Sequence, residues 1–144
     1  MLEQLNENNI THGIIGAIFD TYNALGPGLL ESVYEEVMAI ILREKGYEVK
    51  TQQSVPITFN DKILSSTLRL DLIVNDSIIV EIKSVAGLQD VHYKQLLTYL
   101  RLTNKHVGLL VNFNTANISD SFRRVINPLY NPLYNPSANH PGKG

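Results

Sequence analysis

The stretch Arg69-Leu70-Asp71-Leu72-Ile73-Val74-Asn75-Asp76-Ser77-Ile78-Ile79-Val80-Glu81-Ile82-Lys83 decides how this chain folds. Two runs rich in β-branched and other apolar residues flank Asn-Asp-Ser, a combination that favours two antiparallel strands joined by a tight turn. Each run carries charge where it is otherwise apolar: Asp71 in the first, Glu81 and Lys83 in the second. Side chains alternate along a strand, so Glu81 and Lys83 share one face while Ile78, Val80 and Ile82 share the other. A charged pair on a face that meets a helix costs desolvation energy unless partners compensate it.

Register decides whether Asp71 joins that pair. A two-residue Asn75-Asp76 turn pairs Val74 with Ser77 and puts Asp71 on the wrong face. A three-residue connection, or one bulge, pairs Val74 with Ile78 and sets Asp71 opposite Glu81. Two carboxylates so placed repel each other in a bare hairpin and suit a divalent cation. The plainer alternative is a salt bridge from Lys83 to either acid.

Upstream of the hairpin, Ile14, Ile15, Ile18, Phe19, Tyr22 and Leu25 follow the spacing of an amphipathic helix over residues 10–25, which Gly26-Pro27-Gly28 interrupts. A second helix is expected over residues 29–45, with Leu30, Val33, Tyr34, Val37, Met38 and Ile41 on one face and Gly46 as its cap. Glu31 lies beside Tyr34 and Met38 at the edge of that stripe and can look inward, although an acid in a first helical turn also complements the helix dipole. Residues 47–59 read as a strand whose Pro56 suggests a sheet edge, followed by strands over 63–74 and 78–85. A third helix is expected over residues 90–103, where His92, Gln95, Leu96 and Tyr99 share a face and the first two could reach a site at the end of the sheet. The apolar run 106–111 suits a central strand covered on both faces, and residues 119–125 read as a short last helix. The resulting order, α-α-β-β-β-α-β-α, is a mixed α/β sheet with helices on both faces.

The chain has 144 residues, 44% of them apolar, enough for one core and one domain. The domain is expected over residues 1–127, and residues 128–144, with Asn-Pro-Leu-Tyr repeated and prolines every four residues, as an extended tail. Such a tail can lie on its own domain or clasp a neighbouring subunit, which admits a homo-oligomer. The absence of cysteine rules out disulfides, thiolate zinc sites and a Cys nucleophile. With no apolar signal core at the N-terminus and no run long enough to span a bilayer, a soluble cytoplasmic protein is expected. Twelve Lys and Arg against fourteen Asp and Glu give a net charge of −2, not the basic footprint of a protein that grips nucleic acid by charge alone. If Glu31, Asp71 and Glu81 are metal ligands, eleven other acids face twelve bases and the cation adds positive charge.

Gly28-Leu29-Leu30-Glu31-Ser32-Val33-Tyr34 resembles the signature of the GxxExxY proteins, a group within the PD-(D/E)xK nuclease superfamily. Arg69-Leu70-Asp71-Leu72 with Val80-Glu81-Ile82-Lys83 resembles its catalytic core, and Val91-His92-Tyr93-Lys94-Gln95-Leu96-Leu97 and Gly108-Leu109-Leu110-Val111-Asn112-Phe113 resemble further family segments. The similarity runs over residues 10–126 in matching order. Members often carry a His near Asn23 and a Glu where Tyr93 stands, and the superfamily's Pro before the first acid is replaced here by Leu70. The Asn-Pro-Leu-Tyr tail lies outside the resemblance.

The resemblance implies a restriction-endonuclease-like fold and a metal-dependent nuclease acting on DNA or RNA. Together with the preference of hard cations for oxygen, it implies that Asp71, Glu81 and the backbone carbonyl of Ile82 bind one Mg²⁺ or Mn²⁺. Lys83 would orient or deprotonate the attacking water, Glu31 would hold a metal-bound water or a second ion, and Gln95 would lend a supporting polar contact. A competing reading keeps the fold but makes the protein a catalytically silent nucleic-acid or protein adaptor.

Overall fold

The computed structural model describes residues 2–134. Helix α1 (Leu2–Leu25) and helix α2 (Glu31–Glu44) precede strands β1 (Val49–Phe59), β2 (Lys62–Val74) and β3 (Ile78–Lys83). Helix α3 (Asp90–Thr103), strand β4 (Val107–Asn112), a single 3₁₀ turn (Ile118–Asp120) and strand β5 (Phe122–Ile126) complete the order. The five strands form one sheet in the order β1-β2-β3-β4-β5. Neighbouring strands run antiparallel except β3 and β4, which are parallel because α3 carries the chain back across the sheet.

Two cores lie on opposite faces of the sheet. On one, Ile10, Ile14, Ile18, Tyr34, Met38 and Leu42 of α1 and α2 pack over Leu72, Val74, Ile78, Val80, Ile82, Val107, Leu109 and Val111. On the other, Leu96 and Leu100 of α3 cover Ile73, Ile79 and Leu110. Burying one such aliphatic side chain fully contributes roughly 1.5–3 kcal/mol, so β3 and β4, buried along nearly their whole length, anchor the fold. Gly108 lets α3 pack closely: a Cβ there would stand 3.0 Å from Leu96 Cδ1, and that side chain would have to give by a few tenths of an ångström.

The expected helix over residues 119–125 is a correction. Phe122 and Val125, three residues apart, fit one helical stripe, but in β5 they fall on opposite faces and pack on the two different cores. The free edge of β4 needs a partner for its buried backbone groups, and β5 supplies it from Val107–Ile126 through Val111–Phe122. Only the 3₁₀ turn is helical, capped by Asn117 Oδ1, which accepts from Ser119 N at 3.3 Å.

Helix α1 also begins earlier than its apolar spacing indicates. The buried Glu7 carboxylate meets His106 Nδ1 at 2.8 Å, a polar anchor that apolar periodicity cannot report. Residues 128–134 form two successive turns, in which Asn127 and Asn131 side chains accept from Leu129 N and Leu133 N, each at 3.0 Å. Asn104 Nδ2 ties them to the end of α3 by donating to the carbonyls of Asn131 and Tyr134 at 2.7 and 2.9 Å. The remainder of the expected tail, residues 135–144, lies outside the described residues.

Candidate active site

The β2–β3 connection has the three residues Asn75, Asp76 and Ser77, with Asn75 and Asp76 at φ of +52° and +50°, conformations that Asn and Asp tolerate better than most residues. Ser77 N donates to Val74 O at 3.0 Å, and Val74 pairs with Ile78, Ile73 with Ile79 and Leu72 with Val80. Continuing that register places Asp71 opposite Glu81.

Here the ordinary ladder gives way to side chains. Asp71 Oδ2 accepts from Ile82 N at 2.8 Å, and Glu81 Oε1 accepts from Asp71 N at 3.2 Å, so each carboxylate holds the other residue's strand. The strand alternation also breaks at this point. Leu72 faces the α1–α2 core, yet Leu70, two residues earlier, faces the α3 core. Across from Asp71 on β1, Gln52 has a φ of +48°, strained for a residue other than glycine, and the pairs Thr51–Leu72 and Gln53–Leu70 flank a Gln52–Asp71 position with no regular pairing. Gln52 Nε2 donates to Glu35 Oε2 at 2.7 Å and lies 3.5 Å from Asp71 Oδ1.

Glu81 is only 4% exposed. Burial and then the neighbouring Asp71 charge push its pKa up to about 8, while the Asp71 backbone hydrogen bond and Lys83 pull the other way. Glu35 is likewise raised, first by burial, with Asp71 and Glu31 adding repulsion against the lowering effect of the Gln52 hydrogen bond.

Lys83 does not form the salt bridge that would make this cluster purely structural: among the described residues the ion pairs are Lys45–Asp20, Lys105–Asp76 and His106–Glu7. Its Nζ donates instead to Gln95 Oε1 at 3.0 Å, and Gln95 Nε2 donates to Tyr99 OH at 3.1 Å. Burial, followed by the charge of Glu81, raises the Tyr99 pKa, against the lowering effect of the Gln95 hydrogen bond. Gln95 thus reaches the sheet as its helical spacing allows, whereas His92 does not. The His92 Nδ1 accepts from Gln89 N at 2.9 Å and closes a capping box at the start of α3.

The segment around Glu31 is built by its neighbours. Gly26 and Gly28 take φ of +68° and +92°, and Tyr34 OH locks the turn by donating to Gly26 O at 2.6 Å and accepting from Leu29 N at 3.1 Å. The Tyr34 ring stacks on Phe113 with centroids 4.4 Å apart. Ser84, just after Lys83, fastens this turn to the end of β3: its Oγ donates to Leu29 O at 2.7 Å and its N to Glu31 Oε1 at 3.3 Å. Glu31 therefore meets the residue next to Lys83, and Glu35, one turn on, is the α2 acid that approaches Asp71 through Gln52. The Asn112 side chain, buried on β4, holds the loop after β3 by bonding Val85 N and O, each at 3.0 Å.

Sequence reasoning missed Glu35, Gln52, Ser84 and Tyr99 as members of this cluster. Tyr99 had a usable signal in its i+4 spacing from Gln95. Gln52 had none, since nothing local marks a glutamine for the left-handed region.

A mixed sheet with helices on both faces and an acid hairpin at its splayed end defines a nuclease-fold protein of the restriction-endonuclease-like class. The PD-(D/E)XK nuclease superfamily model matches residues 8–125, and the chain belongs to that superfamily. Among solved structures it is similar to one titled "Crystal structure of SSO0001", at 26% identity and a TM-score of 0.53, over 68% of this chain and 50% of that one. The chain thus spans about half the length of that protein. No curated protein sequence matches it.

The superfamily generally uses divalent metals, and the residues present fit one. Asp71 and Glu81 offer hard anionic oxygens on adjacent strands, and one of the two is buried so fully that it favours its proton when no cation offsets the charge. Among the described residues no group of three or more His, Cys, Asp or Glu side chains could hold a metal ion. An ion here would rest on two carboxylates, backbone oxygen and water. Among the described residues no helix is long and apolar enough to cross a membrane.

Proposed function

We propose that this chain is a metal-dependent phosphodiester hydrolase of the GxxExxY group, its domain spanning residues 1–127, that cleaves nucleic acid with Asp71, Glu81 and Lys83. The observation that carries the reading is the crossed pair of carboxylates at the splayed end of the hairpin, with an amine two residues further along that forms no salt bridge among the described residues.

Asp71, Glu81 and the carbonyl of Ile82 would hold one Mg²⁺ or Mn²⁺, with waters filling the remaining positions. Such an ion, when bound, polarises a phosphate oxygen and acidifies a water. Lys83 orients or deprotonates the attacking water and offsets negative charge on the transition state. Gln95 fixes the lysine amine, and the Tyr99 hydroxyl fixes the Gln95 amide in turn. Glu31, anchored on Ser84 N, holds a water or a second ion on the α2 side.

One observation favours a silent, adaptor reading: Asp71 and Glu81 each already accept a backbone N–H and so have a structural task without an ion. Incubating wild type, Asp71→Ala and Lys83→Ala with labelled DNA and RNA in Mg²⁺ or Mn²⁺ separates the two. Cleavage by wild type that is lost in both variants supports the hydrolase. Undiminished cleavage by the variants, or none by wild type at millimolar metal, contradicts it.

A further inference from the structure

Beyond Leu72 the strand β2 leaves β3 and pairs with β1 alone, so Gln53–Phe59 and Lys62–Leu70 form a two-stranded ribbon whose root packs on the α3 core through Leu70 and Val55. Asn60 and Asp61, at φ of +48° and +63°, close its tip between Phe59 and Lys62. Seven residues at about 3.3 Å each make it about 23 Å long, some two-thirds of a turn of B-DNA. Its side chains between Leu68 and the tip are largely exposed, including Thr58, Phe59, Lys62, Ile63, Leu64 and Thr67, and Arg69 is exposed nearer the root.

Two features bear on what such a projection is for. The ribbon, residues 53–70, carries Lys62 and Arg69 against the single acid Asp61, in a chain whose net charge is −2. Its root is Gln52 and Asp71, the positions that open the acid cluster. A ligand lying along the ribbon therefore passes the candidate active site. Strand addition by a second copy is disfavoured on the β1 side, where Pro56 lacks an N–H and the register shifts between Pro56 and Thr58.

We infer that the β1–β2 ribbon seats in the major groove of B-form duplex DNA, with Lys62 and Arg69 on phosphates, and delivers the backbone to the acids at its root. The major groove admits a two-stranded β-ribbon, whereas the major groove of A-form RNA is deep and too narrow for it. This inference rests on the hydrolase reading and narrows its substrate to duplex DNA.

The test is fluorescence anisotropy with a labelled 20-base-pair DNA duplex and the RNA duplex of the same sequence, in Ca²⁺, across a salt series. Wild type and Asp71→Ala should both bind DNA and bind RNA less tightly. Lys62→Ala/Arg69→Ala should bind DNA more weakly and lower the slope of log affinity against log salt by about 2. Because both residues are exposed, the substitution leaves the core untouched, and circular dichroism checks its fold. Unchanged DNA affinity and slope in that variant, equal binding of RNA, or a wild-type dimer in light scattering that Phe59→Ser/Ile63→Ser separates, each overturns the ribbon's role alone. Wild type that binds neither duplex overturns the ribbon's role, and wild type that also fails to bind single-stranded DNA and RNA at low salt overturns the hydrolase reading with it.

Discussion

The two ends of the β2–β3 hairpin are made from the same strands and solve opposite problems. At the turn, Leu72, Ile73 and Val74 face Val80, Ile79 and Ile78 in a regular apolar ladder, with every one of these six side chains buried. Three residues away that ladder gives way to carboxylates: Asp71 accepts from Ile82 N and Glu81 accepts from Asp71 N. The first arrangement satisfies the backbone and covers it with hydrocarbon. The second satisfies the backbone but sets two carboxyl groups together, one of them almost wholly buried and pushed to hold its proton, which mere stability does not require. One hairpin is thus anchored by hydrocarbon at its turn and closed by carboxyl groups at its other end.

The sharpest way to separate the ends is through Lys83, which should matter to chemistry and little to folding. Lys83→Ala should reduce kcat by about 10²–10⁴-fold, the usual contribution of a positioned proton-transfer group, with a urea midpoint close to wild type. Ile79→Ala should do the reverse. Removing that fully buried side chain should cost about 2–5 kcal/mol in urea denaturation, and the remaining folded fraction should keep its kcat.

A subtler test uses the repulsion itself. Glu81 holds its proton up to about 8 in the folded chain and to about 4.5 when solvated, so the folded state binds more protons between those values. The stabilising contribution of the protonated form is complete below that window and is lost as pH rises through it. Melting of metal-free protein should therefore fall in temperature from pH 5 to pH 8, and Glu81→Gln should flatten this part of the profile. The smallest effect is expected at the outer support. Tyr99→Phe removes the hydroxyl that accepts from Gln95 and should lower kcat a few-fold with KM unchanged, in keeping with about 0.5–1.5 kcal/mol for one hydrogen bond.

Much of this contrast was legible in the sequence. Strand alternation separated Ile78, Val80 and Ile82 from Glu81 and Lys83, and the site's condition, an odd-numbered turn, is met by Asn75 to Ser77. Helical spacing likewise brought Gln95 to Lys83. What escaped depends on partners distant in sequence. Residues 119–125 became a turn and a strand because β4 had an edge to fill, and α1 lengthened to bring Glu7 to His106. His92 went to a helix cap because Gln89 N needed an acceptor. Glu31, read as able to look inward, stays exposed and meets Ser84 N, and Glu35 became visible only when the kink at Gln52 turned an amide between two carboxylates. Local pattern reports faces, and tertiary pairing decides which polar groups meet.

The central claim is that the repulsive end of the hairpin is made for a cation, and anomalous scattering from crystals soaked in Mn²⁺ addresses it most directly. The expected result is one peak coordinated by both Asp71 and Glu81 that disappears in Asp71→Ala crystals. A map with no peak between these carboxylates, from crystals soaked at millimolar Mn²⁺ near pH 8, would contradict it.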